Sequence, residues 1–336
     1  MRDPDFTKEW RACLHAILGS FAFCSLLMSS LMVLADPYDR GYFGLLNIVG
    51  VDDRTVTGNA SRARDPQFDS AVVSNSTGQL IDPGKLSEGT EHHFVQLLVP
   101  GGRPRGLIAT LNYFTRHHQQ VGAIVVVIDE PWCSQISDNE RDDPFPYWLY
   151  EESLWSYAKH LWNWNTLSRL VQRMEIWVGL RRAMRPDGHW SYEDVFPRDQ
   201  RPTASDGPPA VETEIADVSA NQFEYRDKLA SVISTLPAST SVTLVVPPVF
   251  YTLLPEPRSH AAAARSACDE AFAAIIASRS VGSFLNFRTD DETTRDPTNF
   301  VDTIHYRSKL AGRINAVVIE SLVANKAQRR ASAIRP

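Results

Sequence analysis

The sequence lacks what several functional classes need. It carries 34 Lys and Arg against 40 Asp and Glu, a formal charge of −6. It therefore has no basic excess with which to neutralise a phosphate backbone, which argues against a nucleic-acid partner. Cysteine is sparse, with only Cys13, Cys24, Cys133 and Cys268, and no CxxC pair occurs. That argues against a structural zinc site. An exported domain could pair Cys133 with Cys268, but two separate buried thiols are the default expectation. No repeat of fixed period is visible, which argues against solenoids and propellers. Apolar residues are not scarce: they make up 43% of the chain, and aromatics 10%, as in a folded globular protein.

The most consequential absence is charge near the N-terminus. From Ala12 to Ala35 the chain reads ACLHAILGSFAFCSLLMSSLMVLA, with no Asp, Glu, Lys or Arg. A helix of this length crosses a hydrocarbon core of roughly 30 Å. A helix in the core of a soluble domain would show a polar face, and this one shows almost none. Arg2, Lys8 and Arg11 precede the run, and Asp36 and Asp39 follow it. The positive-inside tendency then keeps residues 1–11 in the cytoplasm and exports the rest. Val33-Leu34-Ala35 passes as a cleavage site, yet the run exceeds the roughly 7–15 apolar residues of a signal peptide. An uncleaved signal anchor over residues 12–35 is expected.

A polar connector, residues 36–66 with an apolar island from Tyr42 to Val51, leads to the main domain at 67–325. Short apolar runs there predict strands: Phe68 to Val73, Phe94 to Val99, Ala123 to Ile128, Val242 to Val246 and Phe284 to Phe287. Leu107, Ile108, Leu111 and Phe114 have helical spacing. Continuous β-branched runs alternating with helices indicate parallel strands buried on both faces. The expected fold is an α/β three-layer sandwich with a mostly parallel five-stranded sheet and ligands at the carboxyl ends of its strands.

Between the third and fourth strands lies a long insertion, residues 131–238. It holds Trp132, Trp148, Trp155, Trp162, Trp164, Trp177 and Trp190. Glu151 to Arg182 reads as helical and Pro186 to Pro209 as loop, and a stretch this long often serves as a lid or binding element. The tryptophans are expected to form the core of a helical subdomain, with carbohydrate stacking the sharper alternative. Residues 326–336 read as a basic tail.

Near the C-terminus, Asp302 precedes His305 by three residues, just before a run of helical spacing at Leu310, Ile314, Val317, Val318 and Leu322. An Asp so placed can orient the imidazole while the His deprotonates a hydroxyl. The hydroxyl must come from elsewhere, and Ser76, at the end of the first predicted strand, is the natural partner. Ser74-x-Ser76-x-Gly78 also looks like a nucleophile elbow, but it lacks the first Gly and follows the first strand of the sheet. The pairs His92-His93 and His117-His118 are read as surface or strand-edge residues, because neighbours on a strand point to opposite faces.

The joint placement resembles the SGNH (GDSL-like) hydrolase superfamily, and more closely the membrane-anchored SGNH-like proteins of bacterial surface polysaccharide acylation systems. Ser74-Asn75-Ser76 stands where that family has Gly-Asp-Ser, and Asn299-Phe300-Val301-Asp302-Thr303-Ile304-His305-Tyr306 carries its Asp-x-x-His. The resemblance implies a catalytic set of Ser76, Asp302 and His305. It implies an oxyanion site drawn from Ser76, Gly101 or Gly102, with Asn75 a further amide to consider. No cofactor or metal is required. The implied substrates and partners are an acylated glycan or acyl donor and a membrane-bound O-acyltransferase. The implied location is the bacterial inner membrane, with the catalytic domain periplasmic. Where the family has an Asn after its third strand, this chain reads Asp129-Glu130-Pro131-Trp132. An ionised carboxylate there would repel an oxyanion. A fold that has lost turnover, and acts as a glycan-binding or scaffold component, is the competing expectation.

Overall fold

The computed structural model describes residues 4–42, 56–133, 144–206 and 223–333. The chain divides into two compact units, residues 1–52 with 152–183, and residues 53–151 with 184–336. The apolar island of the connector lies outside the described residues, apart from Tyr42.

The larger unit is built on five strands: β1 (Ser70–Ser74), β2 (Phe94–Leu98), β3 (Ala123–Val127), β4 (Ser241–Val246) and β5 (Gly282–Asn286). They are all parallel, in the order β2-β1-β3-β4-β5. The helices of this unit are α2 (Asn59–Ala63), α3 (Pro83–Gly89), α4 (Pro104–His117), α5 (Glu130–Cys133), α8 (Glu224–Thr235), α9 (His260–Ala277), α10 (Glu292–Arg295) and α11 (Ser308–Ala333). Every residue of β1 to β4 is buried, which is why those runs are apolar at consecutive positions rather than alternating.

Alternation along the strands sends side chains to two cores. Val72, Val125 and Val245 join Leu86 of α3 with Leu310, Ile314 and Val318 of α11 on one face. Helices α2, α4, α8 and α9 cover the other face. Sheet edge β2 is protected: its Gln96 N–H donates to the Asp187 carbonyl at 2.8 Å, so the segment around Gly188 runs along it. Helix α8 belongs to the β3–β4 crossover itself, so the part of the insertion without a counterpart in a plain sandwich ends before residue 223. Helix α11 continues into the expected basic tail as far as Ala333.

β1 starts two residues later than its apolar run. Asp69 is held back at the sheet entrance, where its carboxylate accepts from the His93 N–H and the Ser70 hydroxyl, both at 2.9 Å. β5 begins at Gly282 because the backbone approaches β4 closely there: a Cβ would lie 2.8 Å from the Val242 carbonyl. The default of separate thiols is corrected. Cys133 and Cys268, 135 residues apart, form a disulfide that ties α5 to α9.

The smaller unit holds α1 (Pro4–Ala35), α6 (Leu154–His160) and α7 (Trp164–Trp177). Within α1, Lys8–Ala35 holds an 18-residue window of mean hydropathy 2.1, and the segment is long and apolar enough to span a membrane. Asp36, in a left-handed conformation at φ 43°, terminates it. Its carboxylate accepts from the Gly41 N–H and the Tyr157 hydroxyl, and Arg173 of α7 donates to its carbonyl at 2.7 Å. The Tyr38 hydroxyl bonds Thr166 at 3.0 Å.

The insertion's tryptophans do not share one core, a second correction. Trp132 and Trp190 pack in the larger unit, Trp132 edge-on to Phe272. Trp155 and Trp164 in the smaller unit are 71% and 78% exposed, and Trp162 and Trp177 are exposed as well.

Candidate active site

The chain leaving β1 turns at once. Asn75 caps the turn Ser76–Gly78, its side-chain oxygen accepting from the Thr77 N–H at 3.0 Å and the Thr77 hydroxyl at 2.7 Å. The Gly78 N–H closes the turn on the Asn75 carbonyl at 3.1 Å. This places Ser76, partly buried, at the carboxyl end of the second strand in the sheet order. Its own N–H has no backbone partner among the described residues. Gly78 is packed so tightly that a Cβ would lie 2.5 Å from Val127 and 2.7 Å from Ser74. Gly78→Ala is therefore expected to cost about 1–3 kcal/mol through overpacking, read as a lower melting temperature. It should also displace the Ser76 turn.

Asp302 and His305 are presented by a closed loop. Phe300 and Tyr306, both fully buried, pair as an antiparallel bridge, and the Val301 N–H donates to the His305 carbonyl at 2.7 Å. The loop is tied to the carboxyl end of β4, where the Phe250 N–H donates to the Thr303 carbonyl at 2.8 Å. At its tip Asp302 accepts three bonds: the Ile304 N–H at 2.9 Å, the His305 N–H at 2.8 Å and His305 Nδ1 at 2.7 Å. Burial alone would raise this carboxyl; the His305 ring and the two amides outweigh it and hold Asp302 below the usual carboxylate range. With Nδ1 engaged, Nε2 is the nitrogen left for a substrate or nucleophile. No hydrogen bond joins Ser76 to His305 among the described residues.

Two of the sequence-derived oxyanion donors are already committed. Val99-Pro100-Gly101-Gly102 is a β-turn in which the Gly102 N–H donates to the Val99 carbonyl at 2.8 Å, with Gly101 at φ 63°. The Gly101 N–H has no backbone partner among the described residues, and no atom lies within 4 Å of where a Cβ would stand. Asn75 points its amide nitrogen at the Asp129 carboxylate, which accepts from it, while its oxygen holds Thr77.

Asp129 itself is not an ordinary carboxylate. It is 6% exposed, and its second oxygen is buried with no hydrogen-bond partner among the described residues. Burial pushes its pKa up to about 6, against the Asn75 donation and the charge of Arg288, while Glu130 adds to the upward push. The carboxyl is therefore ionised at neutral pH and becomes neutral below about pH 6.

Several neighbours of His305 escaped the sequence reading. Tyr192 and Phe196, from the loop-like part of the insertion, set their rings 5.1 Å and 5.9 Å from the imidazole. The Tyr192 hydroxyl donates to the Tyr306 carbonyl. Next to them a polar cavity of about 410 Å³ is lined by Glu193, Asp194, Phe196, Arg198 and Arg307. The one available signal was the Arg307 charge two residues after His305. Three of the four paired histidines are occupied locally, His117 Nδ1 by the Tyr113 carbonyl, His118 Nε2 by that of Ala63 and His92 by Asp69, and the His93 side chain is exposed. Among the described residues no group of three His, Cys, Asp or Glu side chains could hold a metal ion. No family model matches the chain, and no curated protein matches its sequence.

Proposed function

We propose that the chain is an exported, membrane-anchored SGNH-type serine O-acylesterase or O-acyltransferase acting on a cell-surface glycan. The observation that carries this reading is the Asp302–His305 pair. It is held by three hydrogen bonds on a loop tied to the carboxyl end of the sheet, the end at which the Ser76 turn also lies. In the proposed reaction Ser76 Oγ attacks an acyl carbonyl and His305 Nε2 takes the hydroxyl proton. The Ser76 and Gly101 N–H groups receive the oxyanion. Collapse expels the glycan hydroxyl, which leaves with the proton from His305. Water or a second glycan hydroxyl then attacks the acyl-enzyme. Phe196, partly buried, and the polar cavity it lines suit a sugar ring with its hydroxyls, while Tyr192 is buried behind the imidazole.

Two observations support export with the anchor retained. The Cys133–Cys268 disulfide belongs to an oxidising compartment. Met32 and Ala35 are buried, so cleavage after Ala35 would strip packed residues from the smaller unit and expose their buried neighbours Asp36 and Tyr38. The proposed location is a single pass through a bacterial inner membrane with the N-terminus cytoplasmic, and the proposed partner is an acyl-donating membrane protein. A reporter fused after residue 336 should be active only outside the cytoplasm; cytoplasmic activity would reverse the orientation.

A second reading has an observation in its favour. Ser76 and His305 are not hydrogen-bonded, and the amide expected after β3 is replaced by Asp129, as in a fold that has kept binding and lost turnover. Catalytic hydrogen bonds often tighten only with substrate bound, which keeps the enzyme reading first. The test is covalent labelling of the full chain by a fluorophosphonate. Labelling of the wild type that Ser76→Ala abolishes supports the enzyme; equal background labelling of both supports the scaffold.

A further inference from the structure

The geometry of the smaller unit points to a second membrane contact: we propose that α6 and α7 lie in the plane of the membrane interface, the groove between α1 and α7 holding an acyl chain of a bilayer phospholipid. The proposal rests on α1 spanning the membrane.

The groove has a volume of about 330 Å³. Met28 and Leu31 of α1 form one wall, and Leu167, Leu170, Val171 and Met174 of α7 form the other. Its one charged lining residue, Glu175, is paired with Arg181 at 2.8 Å. Depth follows from helix geometry. Met28 and Leu31 lie seven and four residues before Ala35, the last residue of the apolar run. At about 1.5 Å per residue they sit roughly 10 Å and 6 Å inside the end of the span. An amphipathic helix lying in a membrane surface typically sinks about 5–10 Å, so a helix packed against these two residues is at that depth.

The side chains that α6, α7 and the turns beside them leave uncovered match this position. Trp155, Trp162, Trp164 and Trp177 are exposed, as are Val171 and Leu180, the last at 82%. In water such a patch is an aggregation liability, whereas tryptophan is enriched where the headgroups begin. Lys159 stands 5.1 Å over the Trp155 ring, which puts a cation beside the aromatic edge, as a phosphate-rich layer favours. The attachment is also fixed rather than loose. Arg173, buried, bonds the carbonyl of Asp36 at the end of α1, and Tyr157 bonds its carboxylate. Helix α7 thus cannot leave the span's exit without breaking buried polar contacts.

The experiment uses the full chain with Cys13→Ala and Cys24→Ala, reconstituted in phosphatidylcholine–phosphatidylglycerol vesicles. Single Val171→Cys, Leu180→Cys, Val195→Cys and Phe21→Cys variants are labelled with an environment-sensitive nitrobenzoxadiazole dye, the Cys133–Cys268 disulfide staying oxidised. Nitroxide on the lipid acyl chain and aqueous iodide are the two quenchers. Dye at Val171→Cys and Leu180→Cys should be quenched by the lipid nitroxide, as at Phe21→Cys, and lose iodide quenching. Dye at Val195→Cys, in the larger unit, should show the reverse. If both α7-region sites behave like Val195→Cys while Phe21→Cys is lipid-quenched, the in-plane element is overturned and the span survives. If neither quencher reaches those two sites, a protein partner or a second copy covers the patch, which also overturns the proposal. Iodide quenching at Phe21→Cys sinks the spanning reading itself, and this proposal with it.

Discussion

His305→Ala is expected to lower ester turnover by about 10⁴–10⁶-fold, the loss seen when a base is taken from a serine nucleophile. Asp302→Asn should cost about 10⁴-fold by a different route. Asp302 accepts from His305 Nδ1 at 2.7 Å and from two backbone amides, so the carboxylate fixes both the ring and the loop. An amide in its place can present its NH₂ group to Nδ1, which stabilises the tautomer with the proton on Nε2, where it cannot accept from Ser76. The loop should survive, since the amide oxygen can still take the backbone N–H groups. Single-turnover rates on an aryl acetate, with circular dichroism as the folding control, check both variants. Turnover within a few-fold of wild type for His305→Ala would remove this residue from the mechanism. The pair also has a pH signature. The Asp302 carboxyl is held low in the folded state, so its contribution to stability is present above the ordinary carboxylate value. That contribution is lost as pH falls through the lower, folded-state value.

Asp129→Asn is expected to do two things that most active-site substitutions do not do together. The first is to stabilise the protein at neutral pH. The folded state holds a proton on Asp129 up to about pH 6, whereas the ordinary value is 3.8. Between those values the folded chain binds the extra proton, so stability falls as pH rises through the window, and above it the penalty is complete. At 1.36 kcal/mol per unit the difference is about 3 kcal/mol. The amide has no proton to lose, and its oxygen can still accept from Asn75. Denaturant melts should therefore converge near pH 4 and favour Asp129→Asn at pH 8. Equal stability at both pH values would show that the carboxyl is not held in its neutral form.

The second expected effect is on rate. A carboxamide at this position adds a neutral donor beside the Ser76 turn, and one oxyanion donor is worth about 10²–10³ in turnover. A rise of that order supports an enzyme working with an incomplete oxyanion site. A gain in stability with no gain in rate favours the scaffold reading.

The features legible in the sequence are those made by neighbours along the chain. A helix able to span a membrane needs only a charge-free run such as Ala12 to Ala35, because each turn satisfies its own backbone groups. The strands of the sheet announce themselves by consecutive apolar residues because both faces are covered, although hydrogen bonding at Asp69 and close packing at Gly282 moved their ends. Asp302 reaches His305 because a spacing of three residues lets one loop close on itself.

Tertiary structure decided whatever joins distant segments. Cys133 meets Cys268 only because α5 and α9 are brought side by side in the larger unit. Asn75 is spent on Asp129 because both are buried and a buried amide donor must be satisfied, and Gly102 is spent on closing its own turn. The insertion read as one stretch, yet residues 152–183 pack with α1 while Tyr192 and Phe196 stand at His305. Its aromatic composition could not assign these sides, since a tryptophan buries equally well against protein or lipid. The sequence alone determined a helix long and apolar enough to span a membrane, the parallel sheet and the Asp302–His305 spacing. Which donors and aromatic walls surround them was settled by contacts between segments that chain spacing does not encode.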